Sequence, residues 1–146
     1  YVTIRIGEQL LGLPIGRVQD VFIANRITVV PRAPDEIVGL INLRGRIVTA
    51  ICLRKRLGRP VELKLDGQGR QELTAIGIDH GGEAYALIVD AVGEVIRLDR
   101  STFEPLPVHL DRVWAALATG IHRLADELLV VLDLDAVLDL DLRSAA

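Results

Sequence analysis

The sequence predicts a mainly all-β protein: two small five-stranded barrels around a shared aliphatic core, with a few short helices. Three observations predict it. Half of the residues are hydrophobic but only 3% are aromatic, so the apolar content is mostly Val, Ile and Leu, which suits pleated sheets. These residues come in short runs, several with period-two alternation, separated by Gly, Pro and Asp turns. The order of the runs then repeats in the second half of the chain.

Tyr1-Val2-Thr3-Ile4-Arg5-Ile6 alternates and reads as a half-buried strand. Gly7-Glu8-Gln9 turns the chain into a second run over residues 10–15, so residues 1–15 form a hairpin. Residues 17–22 carry conflicting signals for a short helix and for extended chain. Residues 27–30 read as a strand stopped by Pro31 and Pro34. Residues 37–43 and 46–51 form a second hairpin around Gly45. Gly45 is expected to have an unusual backbone conformation or a neighbour too close for a side chain. Residues 53–57 make one or two helical turns, ended by Gly58 and Pro60. Residues 62–71, with Asp66-Gly67-Gln68-Gly69, read as a loop or linker.

The pattern then restarts. Residues 73–79 and 83–89 form a hairpin around Gly81-Gly82, and residues 92–98 are a further strand. Ser101-Thr102-Phe103-Glu104 has capping-box spacing, but Pro105 and Pro107 forbid a long helix after it. Residues 117–123 and 128–132 form a last hairpin around Ala125-Asp126. Residues 134–142 close the chain as a short helix that Asp133 or Asp135 is placed to cap.

The restart is a residue-level repeat. GLPIGRVQDV (12–21) aligns without gaps on ALIVDAVGEV (86–95): Leu13 on Leu87, Val18 on Val92, Asp20 on Glu94 and Val21 on Val95. Ile4 and Ile6-Gly7 lie opposite Ile78 and His80-Gly81. ICLRKRL (51–57) resembles LDLDAVL (132–138). Each half reads as hairpin, strand, proline-rich connection, hairpin, short helix. Five short strands per half are enough to close a small barrel, which removes exposed edges. Residues 1–146 are expected to form one domain, with approximate lobes at 1–65 and 70–146 and strands free to be exchanged between them.

The chain has 146 residues and a net charge of −3. No basic face points to general nucleic-acid binding, and no apolar run is long enough to span a bilayer. The single cysteine, Cys52, excludes an intrachain disulfide framework and fits a reducing cytosol. No methionine occurs, so the sequence is expected to be a trimmed protein or a domain of something longer.

Catalytic signals are missing. His80, His109 and His122 have no partners at metal or triad spacing. Cys52 lies within an apolar run and reads as a buried structural thiol. Asp133, Asp135, Asp139 and Asp141 lack the glycine turn and closing glutamate of a calcium loop, and read as a solvated helix face. No phosphate-cradling glycine loop occurs. The sequence points to a binding scaffold, with no enzyme, cofactor or metal expected.

GLPIGRVQDVF (12–22), VVPRAPDEIVGLINLRGRIVTAICLRKRLG (29–58) and ALIVDAVGEVIRL (86–98) resemble the CheW family of chemotaxis adaptors. The resemblance runs over essentially the whole chain. Its specific core is the proline hook followed by Gly39-Leu40-Ile41-Asn42-Leu43-Arg44-Gly45. It implies two five-stranded, SH3-like β-barrel lobes and a cytoplasmic, non-catalytic adaptor. Such an adaptor bridges the regulatory domain of the histidine kinase CheA to the helical tips of chemoreceptors, associating with membrane arrays only through these partners. Carried over, receptor contact falls on Val18, Asp20, Gly39 and Arg44, and Ile15 and Leu43 are expected to line an apolar groove between the lobes. No residues carry over to the kinase-facing surface. Two positions depart from the family: Cys52 stands where Asp or Asn is usual, which removes a polar helix cap, and Asp20 stands where Glu is common. A guanidinium at a hairpin end reaches a carboxylate or a helix C-terminus with a bidentate fork, which favours recognition for Arg44; Arg46 reads as surface. The alternatives are a CheW-like domain cut from CheA or from a CheW–receiver fusion, a small ligand-binding or enzymatic β-barrel, and a structural pairing module.

Overall fold

A computed structural model describes residues 1–59, 73–107 and 111–139. The expected 62–71 loop, Pro60, His109, Asp141 and the end of the last helix lie outside the described residues. In chain order the strands are β1 (Val2–Ile6), β2 (Gln9–Leu13), β3 (Val18–Ala24), β4 (Ile37–Leu43), β5 (Arg46–Cys52), β6 (Leu73–His80), β7 (Glu83–Val89), β8 (Ala91–Val95), β9 (Phe103–Glu104), β10 (Ala118–Arg123) and β11 (Leu128–Leu132). The α-helices are α1 (Leu53–Arg56), α2 (Arg112–Leu117) and α3 (Leu134–Leu138). The expected hairpins are all present, and the protein is mainly β.

The strands form two sheets, ordered β8-β1-β2-β11-β10-β9 and β3-β6-β7-β5-β4. The two orders are the same once equivalent strands are matched, and the match is the sequence repeat. Val18 of β3 pairs with Ile78 of β6, as Val92 of β8 pairs with Ile4 of β1. A register shift follows both pairs, between Val18 and Asp20 and between Val2 and Ile4. The hairpin β1–β2 sits with strands from the second half of the chain, held to β11 by parallel pairing of Leu10–Gly12 with Leu129–Val131. The hairpin β6–β7 sits with strands from the first half, held to β5 by parallel pairing of Thr49–Cys52 with Tyr85–Ile88. Residues 14–17, with a 3₁₀ turn at Ile15–Arg17, carry the chain from the first sheet to the second. Asp90, between β7 and β8, carries it back.

Each sheet curls because the segment after its edge strand crosses to the opposite edge. Thr28 exchanges two backbone hydrogen bonds of 2.8 Å with Leu40 of β4. β9 does the same against β10, pairing Phe103 with His122 and Glu104 with Ile121. The first sheet therefore counts a sixth, two-residue strand, whereas the strand expected at 27–30 is a single bridge. The β4 ladder shifts register between Ile37 and Gly39, and Pro31 lacks an N–H to continue it.

One core cluster joins the sheets: Ile4, Ile6, Leu11 and Leu13 pack with Ile51, Ile76, Ile78 and Leu87, and with Leu134, Val137 and Leu138 of α3. A second fills the five-stranded barrel with Ile27, Ile41, Val48, Ala75, Ala86 and Ile88. Around the core the helix ends follow local chemistry. Asp133 Oδ1 accepts from the Ala136 N–H at 3.3 Å and caps α3. At Cys52, ahead of α1, there is no side-chain cap. Ser101 opens no α-helix; Asp99 accepts from its N–H at 3.0 Å and holds a 3₁₀ turn at Arg100–Thr102. α2 was not expected. Its sequence signal is Asp111, whose Oδ1 accepts from the Val113 N–H at 2.8 Å. Leu117, expected in the strand, ends this helix.

Asp90 ties the return crossing to two neighbours. Its Oδ2 accepts from the Gly7 N–H and from Arg54 Nη2, both at 2.6 Å, and Arg54 Nε donates to Oδ1 at 2.9 Å. Arg54 holds the Asp90 carboxyl below its ordinary range, partly opposed by burial and aided by Gly7. A carboxyl held low in the folded state stabilises it above the ordinary carboxylate pKa, and that stability is lost as pH falls through the lowered value. Melting curves of Asp90→Asn across pH are expected to show a lower midpoint at neutral pH and a shallower decline into acid than the parent. Overlaid pH profiles would mean the lock contributes nothing.

Candidate recognition site

The β4–β5 reversal is a two-residue turn. Leu43 pairs with Arg46, and Arg44 and Gly45 between them have φ of 54° and 83°. Positive φ at both positions gives the type I′ geometry that matches strand twist. Asn42 Oδ1 accepts from the Gly45 N–H at 3.0 Å. Gly45 thus has the conformation expected of it, and open space where a Cβ would stand: the constraint is the backbone alone. Arg44 is unusual here, because a left-handed non-glycine residue costs on the order of 1 kcal/mol. The turn holds its guanidinium outward, exposed.

Asp20 lies just past the β3 bulge. Its carboxylate folds over Gly77 of β6, where an added Cβ would strike it. Gly77 is an isolated glycine inside a strand, a signal for close approach that was legible in LTAIGIDH. Asp20, Leu43 and Arg44 meet around one cavity of about 420 Å³, with Phe22 and Tyr85 among its walls. Arg46, exposed as expected, pairs through Nη2 with Asp79 Oδ1 at 3.1 Å on the same rim. No sequence signal marked that pair, since β5 and β6 are far apart in the chain. The Tyr85 hydroxyl donates to Glu83 at 3.0 Å, and burial, then Glu83, raise its pKa. Among the described residues neither Asp20 nor Arg44 has an ion-pair partner. The site therefore offers mixed walls, apolar at Phe22, Leu43 and Val48 and polar at Gln19, Arg46 and Asp79, with a carboxylate and a guanidinium that have no ion-pair partner among the described residues.

The other expected positions fall around it. Val18 is half-buried on β3, against the core that joins the sheets. Ile15 is 57% exposed on the crossing between the sheets. Gly39 is not at the cavity. It lies four residues from Leu43, roughly 13 Å along the strand. A Cβ there would collide with the Thr28 carbonyl and come within 2.6 Å of the Ile27 side chain. Gly39 lets the Thr28 crossing close the barrel. Cys52 is buried, and burial raises its thiol pKa. Asp135 pairs with Arg17 at 2.8 Å. No helix among the described residues is long and apolar enough to cross a membrane.

Fold and site together define an all-β, two-lobed module with a rim-charged cavity in its second sheet. Residues 1–141 match the family described as CheW-like domain, and the chain belongs to that family. It is similar to the chemotaxis protein CheW of Klebsiella aerogenes, 27% identical over 139 residues that cover 94% of this chain and 80% of the relative. It is also similar to that of Bacillus subtilis, 33% identical over 112 residues covering 77% and 69%. The crystal structure of the scaffolding protein TtCheW from Thermoanaerobacter tengcongensis aligns with a TM-score of 0.81 at 33% identity, covering 96% of this chain and 92% of that one.

The turn geometry has a measurable consequence. Arg44→Asn is expected to raise stability by about 0.5–1 kcal/mol, because Asn tolerates the left-handed region better. Gly45→Val is expected to lower it by at least about 1 kcal/mol. Denaturant midpoints of both variants check this, and a Gly45→Val curve that overlays the parent would overturn it.

Proposed function

We propose that this protein is a non-catalytic chemotaxis scaffold of the CheW type, acting in the cytoplasm. It couples the histidine kinase CheA, through the kinase's regulatory domain, to the helical tips of chemoreceptors. Family membership and the similarity to the scaffolding protein TtCheW support the general role. The receptor assignment rests on one observation: Asp20 and the adjacent pair Leu43 and Arg44, distant from it in sequence, converge on one cavity, and neither charge has an ion-pair partner among the described residues.

The chemistry suits a helical partner. A helix laid on such a surface offers apolar anchors at i, i+3, i+4 and i+7. Leu43, Phe22 and Tyr85 take an anchor, with Val18 and Ile15 extending the apolar surface back to the junction of the sheets. Arg44 takes a carboxylate or the carbonyl end of a helix, and Asp20 takes a cation. Gly39 acts indirectly in this scheme, by fixing the barrel end that carries the Arg44 hairpin. A larger side chain at Gly39 displaces the site without touching the partner.

Arg44→Ala is expected to leave the melting midpoint close to the parent's and to weaken binding to a receptor-tip fragment by on the order of 2 kcal/mol, with less effect on the CheA regulatory domain. Arg44→Glu is expected to be worse than Arg44→Ala for the receptor. Asp20→Lys is expected to weaken the same partner. Calorimetric titration of each variant against both partners decides it. Equal losses for both partners would withdraw the receptor assignment, and a parent that binds neither would withdraw the scaffold reading.

A further inference from the structure

The repeat that relates the two sheets also relates their outer faces, and α2 covers one of these faces but not the other. Gly120 of β10 takes the place of Gly39 of β4. Each follows a register shift, and a Cβ on either would strike the segment that crosses to close its sheet. Counting on from these glycines puts Ile121 in the place of Leu40. The match of ICLRKRL to LDLDAVL, extended at both ends, puts Val130 in the place of Thr49 and Leu57-Gly58 in the place of Leu138-Asp139. Likewise Leu11 takes the place of Tyr85, because Leu13 matches Leu87.

In the first sheet Leu11, Leu57, Ile121 and Val130 are all buried. Leu117 of α2 belongs to their core cluster, and Trp114 packs against it. The Arg59 guanidinium, just past α1, lies 5.3 Å from the centre of the Trp114 ring. In the second sheet the stretch between Thr28 and β4 forms no helix. Pro31 and Pro34 lack the N–H groups that a helix needs. There Leu40, Thr49 and Tyr85 stay half-buried, and with Ile37 and Leu138 they wall a cavity of about 390 Å³. Glu83 and Asp139, both exposed, are further walls. Neither has an ion-pair partner among the described residues. Glu83 accepts only from the neutral Tyr85 hydroxyl, and Arg56 reaches Asp139 through its carbonyl at 3.3 Å. His80, also a wall, has its Nδ1 3.4 Å from Arg17 and from Asp135. Gln9 and Gly58, in the places of Glu83 and Asp139, carry no side-chain charge.

We propose that this groove seats a short amphipathic helix of a protein partner, with one bulky apolar anchor and a Lys or Arg within a turn of it. The anchor takes the role that Trp114 has on the first sheet, and covers apolar surface that the chain's own α2 covers there. The basic residue lies toward Glu83 and Asp139, which repel an acidic segment and so select against it. The groove shares only Tyr85 with the Asp20–Arg44 cavity, so this inference does not rest on the receptor assignment.

The probe is the helix that fills the equivalent seat: a synthetic peptide of residues 111–118, DRVWAALA. Ala115→Lys in the peptide, joined to Asp111 by a lactam, holds it helical; both positions are exposed in the folded chain. The full chain is titrated with this peptide and followed by backbone amide shifts. Saturable shifts are expected at Leu40, Thr49, Tyr85 and Leu138. Trp114→Ala in the peptide is expected to weaken binding at least about tenfold, as loss of a central aromatic anchor does. Arg112→Glu in the peptide is expected to weaken it about threefold, the scale of an exposed charge pair. Glu83→Lys in the protein is expected to weaken the parent peptide and to restore the Arg112→Glu peptide. Should Glu83→Lys fail to fold, the two peptide variants against the parent protein decide. No saturable binding, indifference to Trp114→Ala, or tighter binding of the Arg112→Glu peptide would each overturn the proposal. Shifts at Gly58 and Arg59 instead would place the peptide in α2's own seat and overturn it as well. Groove amides that move on diluting the protein without peptide would assign the groove to a second copy of this chain, against the proposal.

Discussion

Two short parallel ladders hold this structure together. Leu10–Gly12 lies beside Leu129–Val131, and Thr49–Cys52 beside Tyr85–Ile88. Every other ladder among the described residues is antiparallel. Parallel neighbours cannot be joined by a tight turn, so each ladder requires a hairpin from the other half of the chain. The exchange is reciprocal, and neither barrel is complete within one half of the sequence. Cooperative unfolding follows, because the β6–β7 hairpin cannot leave the second sheet without opening the core that it shares with β1 and β2.

The same exchange builds the candidate recognition site. Asp20 comes from β3 in the first half, and the glycine that makes room for its carboxylate, Gly77, comes from β6 in the second. Arg44 and Arg46 stand on the β4–β5 turn, but Asp79 and Tyr85, which complete the cavity, arrive with the exchanged hairpin. A rigid scaffold is well suited to a site of this kind. Its charged groups are held on strands and a tight turn rather than on a long loop, so little ordering is required when a partner arrives. Arg44 is the exception to local ease. It sits in a left-handed conformation that Asn or Gly would adopt more readily, and strained backbone of this kind clusters at functional sites.

The crossings between the sheets and α1 carry polar bonds that fasten the junction. Asp90 holds Gly7 and Arg54. Arg17, at the other crossing, reaches Asp135 on α3. Arg56 forks onto the carbonyls of Ala136 and Val137 at the end of that helix, both at 2.8 Å. A cation at a helix C-terminus satisfies carbonyls that the helix leaves open. Together these contacts fasten α3 over the shared core, although the helix itself is only five residues long and too short to be stable alone.

The sequence by itself determined the class and most of the elements. Period-two runs mark the four hairpins, because alternation is a local property of a half-buried strand. Gly45 was legible from its place between two apolar runs, and the repeat was legible because equivalent strands face equivalent neighbours. The resemblance to CheW also lay in contiguous residues. Tertiary structure alone decided the rest. It set which hairpin completes which barrel, since parallel ladders leave no turn signal in the chain. It reduced residues 27–30 to one bridge, since that depends on where β4 bulges. It set Gly39 against the Thr28 crossing, away from the Asp20–Arg44 cavity. It joined Arg46 to Asp79 and left Nε2 of His122 without a partner among the described residues. Each of these depends on which distant atoms end up within a few ångströms, and local propensity carries no information about that distance.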